Sequence, residues 1–277
     1  MAQADVEGKG ETLTRANPNF MLSYKYLNWG SPLAGRDRIQ SASLSHLLRT
    51  KPQMLAMKPR TLVDQSADLI IDAAAEGVFL PGDRLVEADI ARQLGISRVP
   101  VREALRLLES QGVVISIPYR GMRLMTVTNV SARSITRVRG ALEGMAIRDC
   151  ISKAGELDLG ELREAARLYR IASEGGDPMG QRRADRSFHR ALCAATGNAT
   201  LVATWTGIAR QVSVLWSLVH NEVGDGRLAD EHDAIVDAIA AGDARRAAAA
   251  LDAHLDGVAS NDFEAALQRR IAERGSD

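Results

Sequence analysis

LPGDRLVEADIARQLGISRVPVREALRLLESQGVV occupies residues 80–114, and its reading decides the fold. Leu80-Pro81-Gly82-Asp83 has the composition of a turn. Val86 to Leu94 carries a short helical period that Gly95 ends. Ser97 then stands as an N-cap, with Pro100 in the first turn of the next helix, where a missing N–H costs nothing. Along that helix Val101, Ala104, Leu105 and Leu108 make an apolar face. Arg98, Arg102 and Arg106 recur every four residues on an adjacent face, displaced by about 110° at 100° per residue. One face docks the helix and the other presents cations outward. Val113 to Ile117 and Met122 to Val127 follow as β-rich runs around Pro118-Tyr119-Arg120-Gly121, a hairpin signal.

Upstream, Leu62, Leu69, Ile70 and Ala73 recur at helical spacing up to Gly77, while Asp64, Asp68, Asp72 and Glu76 form a stripe that reads as a solvated face. Helix, short helix, turn, helix and hairpin is the order of a winged helix-turn-helix over residues 58–127. Residues 1–57 scatter Asn, Ser, Gly and Pro without a sustained period and read as a disordered arm. From residue 128 to 272 the period is helical throughout, with expected helices at 130–152, 158–174, 178–195, 198–220, 227–240 and 243–271. The fold class expected is therefore mainly α, a winged helix-turn-helix followed by an all-helical antiparallel bundle.

Composition agrees, because only 4% of the 277 residues are aromatic and 45% are hydrophobic. Net charge is zero, so any case for a polyanionic partner rests on local distribution. Residues 1–57, 58–127 and 128–277 carry +3, 0 and −3, yet 97–123 holds five arginines against Glu103 and Glu109. Cys150 and Cys193 form neither a Cys-x-x-Cys pair nor a disulfide framework, which suits a reducing compartment. No apolar run approaches the roughly 20 residues that span a bilayer, so a cytoplasmic location without membrane contact is expected.

Four residues of the second half point to a metal. Asp185 and His189 are four apart on one expected helix and project from the same face. His232 and His254 are 22 apart and centred on Asp243, in the break between two helices. If those helices fold back antiparallel, each histidine lies about 16 Å from the same turn at 1.5 Å per residue, at one level of the bundle. Three imidazoles and a carboxylate suit a divalent transition metal, zinc first, with nickel, cobalt and manganese as alternatives.

The stretch 80–114, continued by Tyr119-Arg120-Gly121, resembles the DNA-binding signature of GntR-family regulators. The second half resembles the FadR-like, or FCD, branch through RGALE at Arg139 to Glu143, DRSFH at Asp185 to His189, Asn198, and EHDAIVDAIAAGDARRAAAALDAHL at Glu231 to Leu255. Val99 departs from the pattern, standing where the family usually has Thr, which bears on base preference. The resemblance implies a homodimeric transcriptional repressor of double-stranded operator DNA that senses a small carboxylate. It implies Arg98 and Arg102 as base or phosphate contacts with Ser97 and Val99 beside them, and Arg120 and Gly121 as the wing. It also implies Asp185, His189, His232 and His254 as metal ligands.

Two readings stay open at the effector residues: Arg139 either clamps a carboxylate or pairs with Glu143, and Asn198 either contacts the effector or caps a helix. The rival function is a metal-dependent hydrolase on the same four residues, with Glu231 as the base that could be nominated. A third reading makes the metal itself the signal.

Overall fold

The computed structural model describes residues 61–153, 157–219 and 226–275. The arm expected at 1–57 lies outside the described residues. Helix α1 (Leu62–Ala75) starts at Thr61, whose hydroxyl accepts from the Asp64 amide at 3.1 Å. It packs between α3 (Arg98–Ser110) and α7 (Ala199–Val219), which changes two expectations. Its buried face is Ala67, Ile70, Ile71 and Ala74, and Leu62 is exposed. Its acidic stripe is not a solvated face: Asp68 and Asp72 are half-buried, and Asp68 lies 3.3 Å from Arg210 of α7. A helix covered on two sides cannot leave a whole stripe to water.

Strand β1 (Arg84–Leu85) was not legible, since two residues carry no period. It precedes α2 (Glu87–Leu94), which ends on Gly95 at φ 68°, a left-handed cap that glycine adopts without a Cβ penalty. After α3, strands β2 (Val114–Ile117) and β3 (Gly121–Leu124) form the expected hairpin, shorter at both ends than the β-rich runs suggested. The antiparallel sheet has the order β1-β3-β2, with Arg123 opposite both Arg84 and Ile115.

The bundle consists of α4 (Asn129–Ser152), α5 (Gly160–Glu174), α6 (Pro178–Ala195), α7, α8 (Arg227–Ala240) and α9 (Ala244–Ala259), followed by α10 (Phe263–Arg274). Thr128 and Ser131 form a capping box on α4, and Asp177 caps α6 with Pro178 in its first turn. The single helix expected at 243–271 is two. The Asp262 carboxylate accepts from the Ala265 amide at 3.0 Å and starts α10, while the Asn129 side chain donates to Asp262 and accepts from the Phe263 amide at 2.8 Å. Side-chain oxygens that satisfy free helix-end amides here compete with continuation of α9.

Between the helices lies an apolar core that includes Ile147, Phe188, Leu192, Trp205, Ile235, Ile239 and Leu251. Each such side chain contributes about 1.5–3 kcal/mol when fully buried. Cys150 and Cys193 are buried free thiols in it, their pKa values pushed by burial up to about 11 and about 12. The last helix returns to the winged half, where Arg274 bonds both oxygens of Asp83 at 2.5 and 3.0 Å. Among the described residues no helix is long and apolar enough to cross a membrane.

Candidate metal centre and DNA-reading helix

Asp185 and His189 sit one turn apart on α6, His232 comes from α8, and His254 comes from α9. The short turn at Asp243 folds α9 back on α8, so the two histidines do reach one level. All four side chains are buried, and one donor atom from each lies within 4.8 Å of all the others. His189 Nε2 is 3.4 Å from His232 Nε2 and 3.2 Å from His254 Nε2, and Asp185 Oδ1 is 3.5 Å from both His189 Nε2 and His232 Nε2. With bonds near 2.1 Å, adjacent donors of a tetrahedral ion stand about 3.4 Å apart.

The outer nitrogens explain why these donors fit a cation. His254 Nδ1 is 3.0 Å from Glu231 Oε2, and His189 Nδ1 is 2.9 Å from Glu143 Oε2, close though not aligned as a hydrogen bond. Carboxylates only accept, so a neutral ring at either position keeps its proton on Nδ1 and turns a bare Nε2 lone pair inward. Two lone pairs facing each other at 3.2 Å, beside a buried Asp185 Oδ1 with no hydrogen-bond partner, are satisfied by a positive ion.

Ionisation states agree at Asp185, His232 and His254 and run the other way at His189. Burial penalises the Asp185 carboxylate, but His189 and His232 outweigh it and hold the pKa well below the ordinary value. Burial, then His232 and His189, keeps His254 well below the usual imidazole range, and burial also lowers His232. Burial and Arg139 disfavour the imidazolium of His189, yet Glu143 and Asp185 prevail and its pKa rises.

A cavity of about 10 Å³ adjoins Asp185, lined also by Arg139, Arg182, Arg186, Trp205 and Trp216. It holds about one water. Of the two readings of Arg139, the pair with Glu143 is present, its Nε bonding Glu143 Oε1 at 2.8 Å; its Nη2 is buried without a partner, and the residue lines the cavity. Glu143 Oε1 also accepts from Trp205 Nε1 at 2.8 Å. Burial opposes the Glu143 charge, but Arg139 and His189 override it and lower its pKa to about 2. Arg182 Nη2 and Trp216 Nε1 are likewise buried and unpartnered. Asn198 is not among the lining residues; its side-chain oxygen accepts from the Leu201 amide at 3.1 Å and caps α7.

In the winged half, Ser97 is the exposed N-cap of α3, and its hydroxyl makes no capping bond. Arg98 and Val99 are exposed, and among the described residues Arg98 has no hydrogen-bond or ion-pair partner. Arg102 is engaged: its Nε and Nη2 both bond Glu87 at 2.9 Å. Arg106 pairs with Glu103 at 2.9 Å. At the hairpin tip Arg120 and Gly121 are exposed, and Gly121 has φ 78°. Tyr119 precedes them fully exposed at φ 63°, a left-handed backbone rare for an aromatic residue.

Sequence reasoning missed Tyr119, Arg182, Trp205, Trp216 and Arg186, and it cast Glu231 as a possible base when its carboxylate orients His254. One signal was available for the arginines: Arg182, Asp185, Arg186 and His189 fall at positions i, i+3, i+4 and i+7 of one helix face.

Two family models match the chain: "Bacterial regulatory proteins, gntR family" at residues 62–124 and "FCD domain" at 134–257. The "Probable D-xylose utilization operon transcriptional repressor" of Paenarthrobacter nicotinovorans is 31% identical over 195 residues, which cover 70% of this chain and 86% of that one. "HTH-type transcriptional regulator LutR" of Bacillus subtilis is 31% identical over 208 residues, covering 66% and 92%. A crystal structure of a GntR regulator from Rhodococcus sp. RHA1 superposes with a TM-score of 0.60 at 25% identity, over 72% of this chain and 95% of that one. These relatives are regulators and not enzymes, which sets the hydrolase aside. The chain belongs to the GntR family of bacterial transcriptional regulators, in the group that joins a winged DNA-binding region to an FCD domain.

Proposed function

We propose that this GntR regulator is a homodimeric repressor that responds to a small carboxylate at a metal-bearing site in its helical domain. One observation carries the reading: four buried donors surround a common point, and the residues that line the adjoining cavity include Arg139, Arg182 and Trp216, whose Nη2, Nη2 and Nε1 are buried without an acceptor. Buried donors without acceptors call for an anion. Asp185, His189, His232 and His254 hold the ion, zinc by preference for this donor set. When bound, the ion supplies open coordination positions to a carboxylate oxygen. Glu143 and Glu231 keep the two outer imidazole protons and aim the rings, and Arg139 turns its free Nη2 to the ligand.

The route to DNA runs through α7. Ala209, Val212 and Ser213 line the cavity, while Arg210 of the same helix donates to Gln111 Oε1 at 2.6 Å and Gln211 donates to the Gln111 carbonyl at 2.6 Å. Gln111 is the C-cap of α3. A ligand that shifts α7 therefore biases the helix that carries Ser97, Arg98, Val99 and Arg102, with Arg120, Gly121 and Tyr119 at the wing. Two copies reading a palindromic operator fit that geometry, and exposed Val138 and Met145, two turns apart on α4, offer apolar surface for pairing.

The test strips the full chain with chelator and restores one divalent ion at a time. Zinc is expected to bind the native chain and not His232→Ala. A monocarboxylate at 100 times its Kd should then add about 2.7 kcal/mol to the metallated form alone, read as a thermal shift. Equal shifts with and without metal would refute the metal-borne carboxylate. Metal that by itself abolishes DNA binding, with no response to carboxylates, would make the ion the signal.

A further inference from the structure

We propose that Arg182 and Arg186 form a second anion subsite, so that the effector carries two anionic groups, one at the metal end and one at these guanidinium groups. The proposal rests on the carboxylate reading above and narrows its ligand class. Arg182 is 8% exposed, lines the cavity, makes no described hydrogen bond or ion pair, and leaves Nη2 buried without an acceptor. Half-buried Arg186 lines the same cavity and likewise has no hydrogen-bond or ion-pair partner among the described residues. A buried guanidinium without a partner is a costly arrangement for structure alone.

Charge decides the ligand class. Arg139 and Glu143 cancel as a pair at 2.8 Å. Asp185 cancels half of a divalent ion's charge, so the lining with the ion in place retains that residual charge together with Arg182 and Arg186, which Asp72 and Glu76 offset only from the far side, on α1. A single carboxylate leaves an excess of positive charge in a low-dielectric cleft, where uncompensated charge is expensive. Burial is felt at Arg182, whose pKa falls to about 10; Asp72 and Glu76 of α1 act on it from the side of the winged region without reversing that fall.

Spacing fixes the reach. Along α6, Arg182 lies three residues before Asp185 and seven before His189, about 4.5 Å and about 10 Å at 1.5 Å per residue. A chain of two to three carbons between the anionic groups bridges that interval. The cavity as closed admits about one water, so such a ligand must displace the long side chains of Arg182 and Arg186. Its arrival thereby draws Arg182 away from the field of Asp72 and Glu76.

The experiment titrates the zinc-loaded full chain with butyrate, succinate, glutarate and 3-phosphonopropionate by calorimetry. Succinate or glutarate is expected to bind at least tenfold tighter than butyrate, and 3-phosphonopropionate shows whether phosphonate serves as the second group. Arg182→Gln should cut that preference to under threefold by weakening the diacids far more than butyrate; Arg186→Gln, at a more exposed site, should reduce it in part. Equal affinity for butyrate and the diacids overturns the second subsite while leaving the carboxylate site standing. Loss of butyrate and diacid binding together in folded Arg182→Gln also overturns it, and failure of every carboxylate to bind the zinc form takes down both readings.

Discussion

Helices α3 and α6 both place arginines four residues apart, and the two rows do different things. On α3, Arg102 and Arg106 are exposed and answered by Glu87 and Glu103. On α6, Arg182 is buried beside a cavity, and Arg139 and Glu143 lie together with almost no exposure on the neighbouring α4. The interaction of two unit charges 4 Å apart grows from about 1 kcal/mol in water to about 4 kcal/mol at an effective dielectric of 20. The same residue types at the same spacing thus face solvent in one helix and a buried cavity in the other. Their worth is set by what packs over them.

The largest break in that contrast comes from Glu143→Ala. The change leaves the Arg139 guanidinium buried without its partner, removes the acceptor of Trp205, and frees the outer nitrogen of His189. Loss of one member of a buried pair costs about 3–5 kcal/mol, to be read from the urea midpoint of the metal-free protein. Glu103→Ala, at the exposed pair with Arg106, is expected within about 0.5 kcal/mol of the native chain. Equal losses at the two sites would erase the distinction. Glu143→Gln preserves shape and should weaken zinc by about 10- to 100-fold, the usual effect of removing the carboxylate behind a ligating histidine.

Acid sharpens the same comparison. The folded pKa of Glu143 is about 2 against an ordinary 4.5, so the unfolded chain takes up its proton first as pH falls. The stability it contributes is present above 4.5 and disappears as pH drops toward 2, amounting to about 3 kcal/mol at 1.36 kcal/mol per unit. His232 and His254, whose folded values are lowered, act with the same sign from the ordinary imidazole range downward. His189, whose folded value is raised, opposes them by stabilising the fold below its unfolded value. Metal-stripped protein should therefore lose stability between about pH 6.5 and pH 2, and Glu143→Gln should flatten the profile below 4.5. Glu164, whose pKa is lowered by its bonds to Arg167 and only slightly opposed by burial, is fully exposed, and 0.5 M salt should remove its share.

Legibility followed the range of the interactions. The capped helices, the hairpin and the His232–Asp243–His254 mirror are local or symmetric about one turn, and residue order displays them. Break and restart at Asp262 depend on Asn129, 133 residues away, and no window of sequence contains both. Arg139 shows the same limit: its i+4 spacing to Glu143 predicted the pair, but the free Nη2 beside the cavity depends on where α6 and α7 lie. The acidic stripe of α1 was misread because solvation of a face is a property of its neighbours, here α3 and α7. Two-residue β1 failed for a simpler reason, being shorter than any period.

The smallest expected effect tests the solvent-facing row against itself. Arg98 opens α3 with no described partner, whereas Arg106 lies two turns further along and already pairs with Glu103. N-terminal residues of a reading helix meet base edges, and later ones meet phosphate or water. Arg98→Ala should therefore weaken operator binding by about 10- to 100-fold and relax discrimination at one base pair. Arg106→Ala should weaken all sequences alike by a few-fold and lower the salt slope by about one. Arg102 falls between them, because the DNA must first release its fork from Glu87; Glu87→Gln is expected to tighten operator binding modestly at low salt. Equal losses for Arg98→Ala and Arg106→Ala at every operator position would mean that α3 touches only the backbone, and sequence would then have to be read through the wing at Tyr119 and Arg120.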